Sequence, residues 1–186
     1  MAGEIDDAIE RADRESFTRQ PPKTLKGQIG YLIRQLGSAK AVAREIGVTA
    51  DSVNRYRRGA RKHARPDIAA KIDAAVRARW QPQVRKRRQK QAATTGGITV
   101  ETRARFGYTA PVGTTDDGRF RRLTVHLPPH YAQRLFNARQ AGASDQQMRQ
   151  IIADGLKEIY FQDGGARALG LSDVTLNDID YLDLDY

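Results

Sequence analysis

The sequence has no cysteine and only three histidines among its 186 residues. Without cysteine the chain can form neither disulfides nor thiolate zinc sites, and a cytosolic setting is expected. His63, His126 and His130 lie far apart and lack the spacing of metal ligands, so no metal site is predicted. There is also no apolar run of about 18 residues, so no membrane span is expected, and the acidic N-terminus is not typical of a signal peptide.

Conventional catalytic motifs are missing as well. The chain has no Gly-rich phosphate loop, no Ser/His/Asp arrangement in a credible context and no cluster of metal-ligating side chains. We therefore expect no independent enzyme and no cofactor bound by the chain itself.

The sequence has an excess of positive charge, and this charge is concentrated in one segment. The formal net charge is +10. Residues 1–22 hold three Lys/Arg and six Asp/Glu, residues 23–90 hold nineteen and four, and residues 91–186 hold ten and twelve. The middle segment therefore predicts a polyanionic partner. Nucleic acid fits better than a membrane surface, because the segment lacks an exposed face of aromatic and leucine side chains for insertion.

The basic segment has the pattern of a helix-turn-helix. Residues 24–36 place apolar side chains at helical spacing after Thr24, a suitable N-cap. Gly37 is expected to end this helix and Ser38 to cap the next. Gly47 can form the tight turn before the third helix. The predicted core of the segment is Leu25, Ile29, Leu32, Ile33, Leu36, Val42, Ala43, Ile46, Val48, Val53 and Tyr56. The segment resembles the helix-turn-helix of DNA-binding repressors, whose second helix enters the major groove. An ordinary helical hairpin with a solvated charged face is the alternative.

The resemblance assigns candidate DNA contacts. Thr49 is the expected cap of the recognition helix. The residues expected to meet base edges are Ala50, Ser52, Asn54 and Arg55, and those expected to meet phosphates are Arg57, Arg58, Arg61 and Lys62. A further helix after Pro66 carries an apolar stripe of Ile68, Ile72, Val76 and Trp80. The basic run that follows, with Arg85, Lys86, Arg87 and Arg88, is predicted to form an arm that tracks phosphates.

The second half has the pattern of a different unit. Residues 98–108 and 123–127 alternate apolar and polar side chains, as strands do, and two helices follow, the second opened by a capping box of Ser144 and Gln147. A strand followed by two helices resembles the ribbon-helix-helix fold. There the strand would pair with its copy in a second chain, and Arg122, Thr124 and His126 would read the major groove. Alternatively, the preceding strand pairs with it within the chain.

These patterns predict a mainly α fold with a small β component. An N-terminal helix-turn-helix is followed by a C-terminal β-hairpin or ribbon with two helices. The expected divisions are an acidic N-terminal segment (1–22), a helix-turn-helix domain with its basic helix (23–91), a linker (92–97), a strand-loop-strand-helix-helix domain (98–165) and an acidic C-terminal tail (166–186). The tail is expected to be a partly ordered acidic segment. The alternative is a functional tail that docks on a partner or shields the basic arm.

The predicted loop between the two strands has an unusual composition. Thr114 and Thr115 are followed directly by Asp116 and Asp117, and glycines bracket all four residues. Adjacent Thr and Asp are common in turns, and the residues alone favour that interpretation. A projecting hydroxyl that takes part in chemistry is the alternative.

Four sequence blocks together resemble one known family. These are "PPKTLKGQIGYLIRQLG", "ARWQPQVR", "QAATTGGITVETRARFGYTAPVGTTDDGR" and "YLDLDY". They are similar to the telomere terminal proteins of linear actinobacterial chromosomes and plasmids, the Tpg family, over nearly the whole chain. The resemblance implies a protein that is covalently bound to 5′ DNA ends and that acts as a protein primer and telomere cap.

The resemblance also implies roles and partners. Thr114, with Thr115 as the second choice, would accept the first deoxynucleotide from a DNA polymerase. Asp116 and Asp117 would assist by orienting the hydroxyl or by helping to hold the magnesium expected with the polymerase. The implied partners are telomeric DNA (its single-stranded 3′ overhang and its 5′ end), the polymerase and a telomere-associated recruiting protein. The expected location is the nucleoid at DNA ends, and a homo-oligomer is compatible with the ribbon pattern. The alternative function is a dimeric helix-turn-helix transcriptional regulator.

Overall fold

The structure is a computed structural model that describes residues 3–109 and 120–186. Within these residues the chain is mainly helical and has a small antiparallel sheet, as the sequence predicts. The helices are α1 (Glu4–Glu15), α2 (Leu25–Leu36), α3 (Ala39–Ile46), α4 (Ala50–Arg58), α5 (Pro66–Arg79), α6 (Pro82–Gln91), α7 (Pro129–Gln140) and α8 (Asp145–Leu156), and the strands are β1 (Ile98–Thr109), β2 (Phe120–Leu127) and β3 (Asp173–Asp185).

The chain divides into two compact units. We call Phe17–Pro82 the helical unit, and Met1–Ser16 together with Gln83–Tyr186 the sheet unit. The boundary after Pro82 differs from the predicted domain limit at residue 91, because α6 belongs to the sheet unit from Gln83 onward. The helical unit is therefore inserted, in chain order, between α1 and the rest of the sheet unit.

Capping residues define the helices of the helical unit. The hydroxyls of Thr24, Ser38 and Thr49 each accept a backbone N–H three residues onward, which confirms the three predicted N-caps. Gly37, Gly47 and Gly59 end the helices with φ values of 83°, 70° and 78°, a conformation that glycine adopts without steric cost. The helices bury one shared core, whose fully buried members include Ile29, Leu32, Val42, Ile46, Val53 and Ile72.

The sheet unit is built on three antiparallel strands in the order β2-β1-β3. β1 and β2 pair within the chain, with Ile98 opposite Leu127 at one end and Arg105 opposite Phe120 at the other. One face of the sheet is buried with α1, α7 and α8 in a single apolar core that includes Val100, Phe106, Leu127, Leu135 and Leu156. The opposite face carries polar and aromatic side chains.

The acidic N-terminal segment contains a core helix. In α1, Ile5, Ala8 and Ile9 are fully buried, because apolar residues recur at helical spacing between the acidic ones. The rest of the segment, from Phe17, belongs to the helical unit. The division 1–22 therefore does not describe one structural element.

The predicted acidic tail over 166–186 is also corrected. Asp173–Asp185 forms β3, which pairs with β1 along its length. The alternation of aspartate with apolar residues gives this strand two faces, and Val174, Leu176, Leu182 and Leu184 lie in the core. The residues that suggested a solvated tail are the outward half of an edge strand.

The predicted linker over 92–97 is a packed element. Ala92–Gly96 forms a π-helical turn in which Ala92 is buried. Gly97 follows with φ 70° and ψ −162°, and a Cβ atom on it would lie 2.3 Å from the Leu127 carbonyl oxygen. This close approach fixes the entry into β1, so the segment connects two parts of one unit.

Candidate nucleic-acid interface

The turn between α3 and α4 shapes the first candidate surface. The Val48 N–H donates to the Ala43 carbonyl at 2.9 Å, and Thr49 caps α4. Val53 and Tyr56 point into the core, while Arg55, Arg57 and Arg58 are exposed. The outer side of α4 is therefore strongly basic, which suits an anionic partner.

The four residues predicted to read base edges differ in accessibility. Ala50 is half-buried and packs against the helical core. Ser52 is half-buried, and its hydroxyl lies 3.0 Å from that of Thr49. Asn54 is half-buried, and Arg55 is exposed and forms an ion pair with Asp51 at 2.9 Å. Exposed pairs of this kind contribute little, so Arg55 can exchange its partner for a nucleic acid.

Arg85 was predicted to contact phosphates, and the structure corrects this. Its side chain is only 10% exposed and donates to both carboxylate oxygens of Glu10, at 2.8 and 3.0 Å, and to Asp13 Oδ2 at 3.0 Å. Asp13 is fully buried. Arg85 therefore joins α6 to α1 inside the sheet unit and cannot reach DNA. On the same helix Lys86 and Arg87 are exposed, and Arg88 is half-buried with its Nη2 4.0 Å from Asp185 Oδ1.

The buried group around Arg85 is a network of charges. Arg139 of α7 donates to Asp6 at 2.6 Å and to Glu10 at 2.8 Å, and the Tyr186 hydroxyl donates to Asp13 at 2.7 Å. Burial disfavours the charged form of Glu10, but the hydrogen bonds and charges of the two arginines outweigh burial and lower its pKa. Burial, together with the charge of Asp13, raises the pKa of Tyr186. The network joins α1, α6, α7 and Tyr186 within the sheet unit.

A second candidate surface lies on the exposed face of the sheet. Arg122, Thr124 and His126 are exposed there, which confirms their predicted outward orientation. Beside them lie Arg103, Arg105, Phe120 and Tyr181, which the sequence did not single out. The alternating pattern of β1 marks its arginines as outward residues, but only the strand register brings them next to two aromatic rings.

The predicted priming residues Thr114, Thr115, Asp116 and Asp117 lie outside the described residues. The flanking strands are described: β1 ends at Thr109 and β2 begins at Phe120.

No protein-family model, curated protein or solved structure matches this chain. Over residues 3–109 and 120–186, no group of three or more His, Asp or Glu side chains is placed to hold a metal ion. The helices in the same part of the chain are all too short or too polar to cross a membrane.

Proposed function

We propose that the chain is a DNA-end terminal protein that primes DNA synthesis through a threonine hydroxyl. Its Thr114 Oγ1, or that of Thr115, attacks the α-phosphorus of a deoxynucleoside triphosphate in the active site of a DNA polymerase. A phosphodiester bond to threonine forms, the bond between the α- and β-phosphates breaks, pyrophosphate leaves, and the hydroxyl proton passes to solvent or a polymerase base. The chain itself is a substrate of this reaction and not an enzyme.

One structural observation carries the proposal alongside the family resemblance. β1 and β2 pair within the chain, and Arg105 lies opposite Phe120 at the last paired position. Both strands that flank residues 110–119 are thus held by one hairpin. A protein primer must offer a hydroxyl in place of a sugar 3′-OH to a site where two metal ions activate it. A hairpin whose strands flank residues 110–119 in the chain suits that task, and Asp116 and Asp117 would orient the hydroxyl or share the polymerase's magnesium.

The helical unit supplies the proposed DNA-binding part. α3, the turn at Gly47 and α4 support a helix-turn-helix whose α4 lies in the major groove, with Asn54 and Arg55 near bases and Arg57 and Arg58 near phosphates. Binding to DNA ends would place the protein at the nucleoid. A recruiting protein and the polymerase are further partners that the resemblance implies.

A transcriptional regulator is the second candidate. The capped α3–α4 pair and the basic outer side of α4 favour it equally, because both functions need duplex DNA binding. A regulator, however, has no use for a reactive threonine. The two proposals therefore differ at Thr114 and not at α4.

Nucleotide labelling separates the two functions. The full chain, a DNA polymerase, an end-sequence template, magnesium and an α-³²P-labelled deoxynucleoside triphosphate should yield a labelled protein. Mass spectrometry should locate the nucleotide on Thr114. Thr114→Ala should abolish labelling and leave DNA affinity unchanged, whereas Thr114→Ser should retain part of it because the hydroxyl is kept.

The alternative outcomes are distinct. Loss of labelling in Thr115→Ala but not in Thr114→Ala moves the site by one residue. Full labelling of the double alanine variant contradicts the proposed priming site. Protein that stays unlabelled under all conditions, yet binds a specific duplex, favours the regulator.

A further inference from the structure

The exposed face of the sheet holds two aromatic rings among arginines, next to the hairpin end. Phe120 is 43% exposed, and within the described residues only Leu169 is another exposed large apolar side chain. Tyr181 of β3 is half-buried and lies opposite Arg103 on the neighbouring strand. An aromatic ring at the surface beside cations can stack on a flat ligand.

The arginines lie directly against these rings. The guanidinium carbons of Arg103 and Arg105 are 5.3 and 5.2 Å from the centre of the Phe120 ring, and that of Arg122 is 5.9 Å from the centre of the Tyr181 ring. We call Arg103, Arg105, Phe120, Arg122 and Tyr181 the platform. It spans all three strands, and the backbone register fixes its order.

The arginines of the platform have exchangeable partners. Arg103 pairs with Asp180 at 2.5 Å, Arg105 with Asp178 at 3.2 Å and Arg122 with Glu101 at 2.7 Å. Their side chains are 51%, 46% and 72% exposed. Ion pairs this exposed contribute little to stability and weaken with salt. A phosphate, which accepts bidentate hydrogen bonds from arginine, can therefore replace a carboxylate without loss to the fold.

We propose that the platform binds single-stranded nucleic acid, with unpaired bases stacked on Phe120 and Tyr181 and phosphates held by the three arginines. Flat aromatic rings beside cations are the chemistry that binds unpaired bases, and a duplex cannot use them because its bases are already stacked. A second copy of the chain offers no unpaired bases to these rings, and each arginine of its platform is already paired with a carboxylate. A membrane surface would require exposed aliphatic side chains, and the described residues of this face present none beside the platform.

The platform is close in the chain to the proposed priming residues. Phe120 follows Asp117 by three residues, and Arg105 precedes the end of β1 by four. A strand stacked on the platform would lie on the two strands that flank residues 110–119 in the chain. The role of the platform as the site that holds the template end rests on the proposed function. Binding of single-stranded nucleic acid by the platform does not depend on priming.

Photo-cross-linking with the full chain tests the proposal. The probe is a single-stranded oligodeoxynucleotide of about 12 nucleotides that carries 5-iodouracil, with excess unlabelled duplex present to occupy the helical unit. Cross-linked peptides should contain Phe120 or Tyr181. Phe120→Ala should weaken binding of the same oligonucleotide about 5- to 150-fold, since loss of one stacked base has that effect. Phe120→Tyr should bind normally, because the ring is kept.

Matched controls separate stacking from unspecific effects. Leu169→Ala removes the other exposed large apolar side chain among the described residues and should leave binding unchanged. Arg122→Ala should lower the salt dependence of binding by about one phosphate contact, whereas Arg134→Ala, an exposed ion-paired arginine on α7, should not.

Three results would overturn the proposal. These are cross-links confined to Phe17–Pro82, wild-type affinity of Phe120→Ala, and loss of self-association instead of oligonucleotide binding in that variant. Failure of Thr114 labelling with cross-links at Phe120 intact would refute only the priming function. Normal labelling without platform cross-links would refute only the platform.

Discussion

Replacing Arg85 should destabilise the sheet unit, whereas replacing the exposed Arg87 on the same helix should leave the stability almost unchanged. Arg85→Met keeps an unbranched side chain in place of the aliphatic part of arginine, but it removes the guanidinium charge from Glu10 and the fully buried Asp13. Removing one partner of a buried ion pair costs about 3–5 kcal/mol, because the other charge is left uncompensated. Arg139 still contacts Glu10 at 2.8 Å and lies 3.8 Å from Asp13, so we expect a loss near the lower limit, about 3 kcal/mol.

The two units can be followed separately during thermal unfolding. Trp80 is the only tryptophan and belongs to the helical unit, where its ring packs edge-on against Tyr31 with ring centres 4.9 Å apart. Its fluorescence therefore reports the helical unit, and far-ultraviolet circular dichroism reports both. Arg85→Met should lower the dichroism transition of the sheet unit by about 10 °C and leave the fluorescence transition in place.

Arg87→Met is the matched control. Arg87 is exposed on α6, so its replacement should change the free energy of unfolding by less than about 0.5 kcal/mol. If Arg87 contacts a phosphate, Arg87→Met should reduce the salt dependence of DNA binding by about one phosphate contact. Arg85→Met, measured at a temperature where it is folded, should not change this salt dependence. Unchanged stability of Arg85→Met together with a reduced salt dependence would refute the reasoning.

Two further predictions concern the same unit. Gly97→Ala should lower the free energy of unfolding, measured by chemical denaturation, by about 3 kcal/mol or more, because its φ is 70° and a Cβ would lie 2.3 Å from the Leu127 carbonyl oxygen. Gly96→Ala, whose Cβ would have its nearest contact at 3.6 Å, should be tolerated. Equal effects of the two substitutions would contradict the assigned turn. The lowered pKa of Glu10 means that its carboxylate stabilises the folded state above the usual value of 4.5 and that this contribution is lost as the pH falls through the lowered value. Glu10→Gln should therefore unfold with a shallower dependence on pH below 4.5 than the unchanged chain, as measured by urea titration at a series of acidic pH values.

Local signals made the helical unit predictable. Thr24, Ser38 and Thr49 each cap a helix through a hydrogen bond that spans three residues, and each of these helices is followed directly by the glycine that ends it. The sheet unit depends on partners far apart in sequence. Arg85 meets Glu10 across 75 residues, and no local pattern distinguishes it from the solvated Arg87.

The candidate site divides in the same way. The alternation in β1 and β2 predicted both strands and the outward orientation of Arg122. It did not reveal the platform, because Phe120 meets Arg105 through strand register, and Tyr181 arrives on a strand whose aspartates resembled a tail. The sequence shows where the charged residues are, but only the pairing of the strands shows whether each charge is buried, paired on the surface or available to a ligand.

The insertion of the helical unit into the sheet unit has a consequence for synthesis on the ribosome. Tyr186 meets Asp13 across 173 residues, and Arg11 meets Asp183 across 172. At about 5–20 residues per second, roughly 10–30 s pass between the emergence of α1 and that of β3. During this interval the helical unit, whose contacts are local, can fold, while the apolar side of α1 lacks β3 as a partner. A nascent chain that stalls before β3 would expose the apolar side of α1. Such a chain would be a substrate for chaperones and proteases and would lack a folded sheet unit.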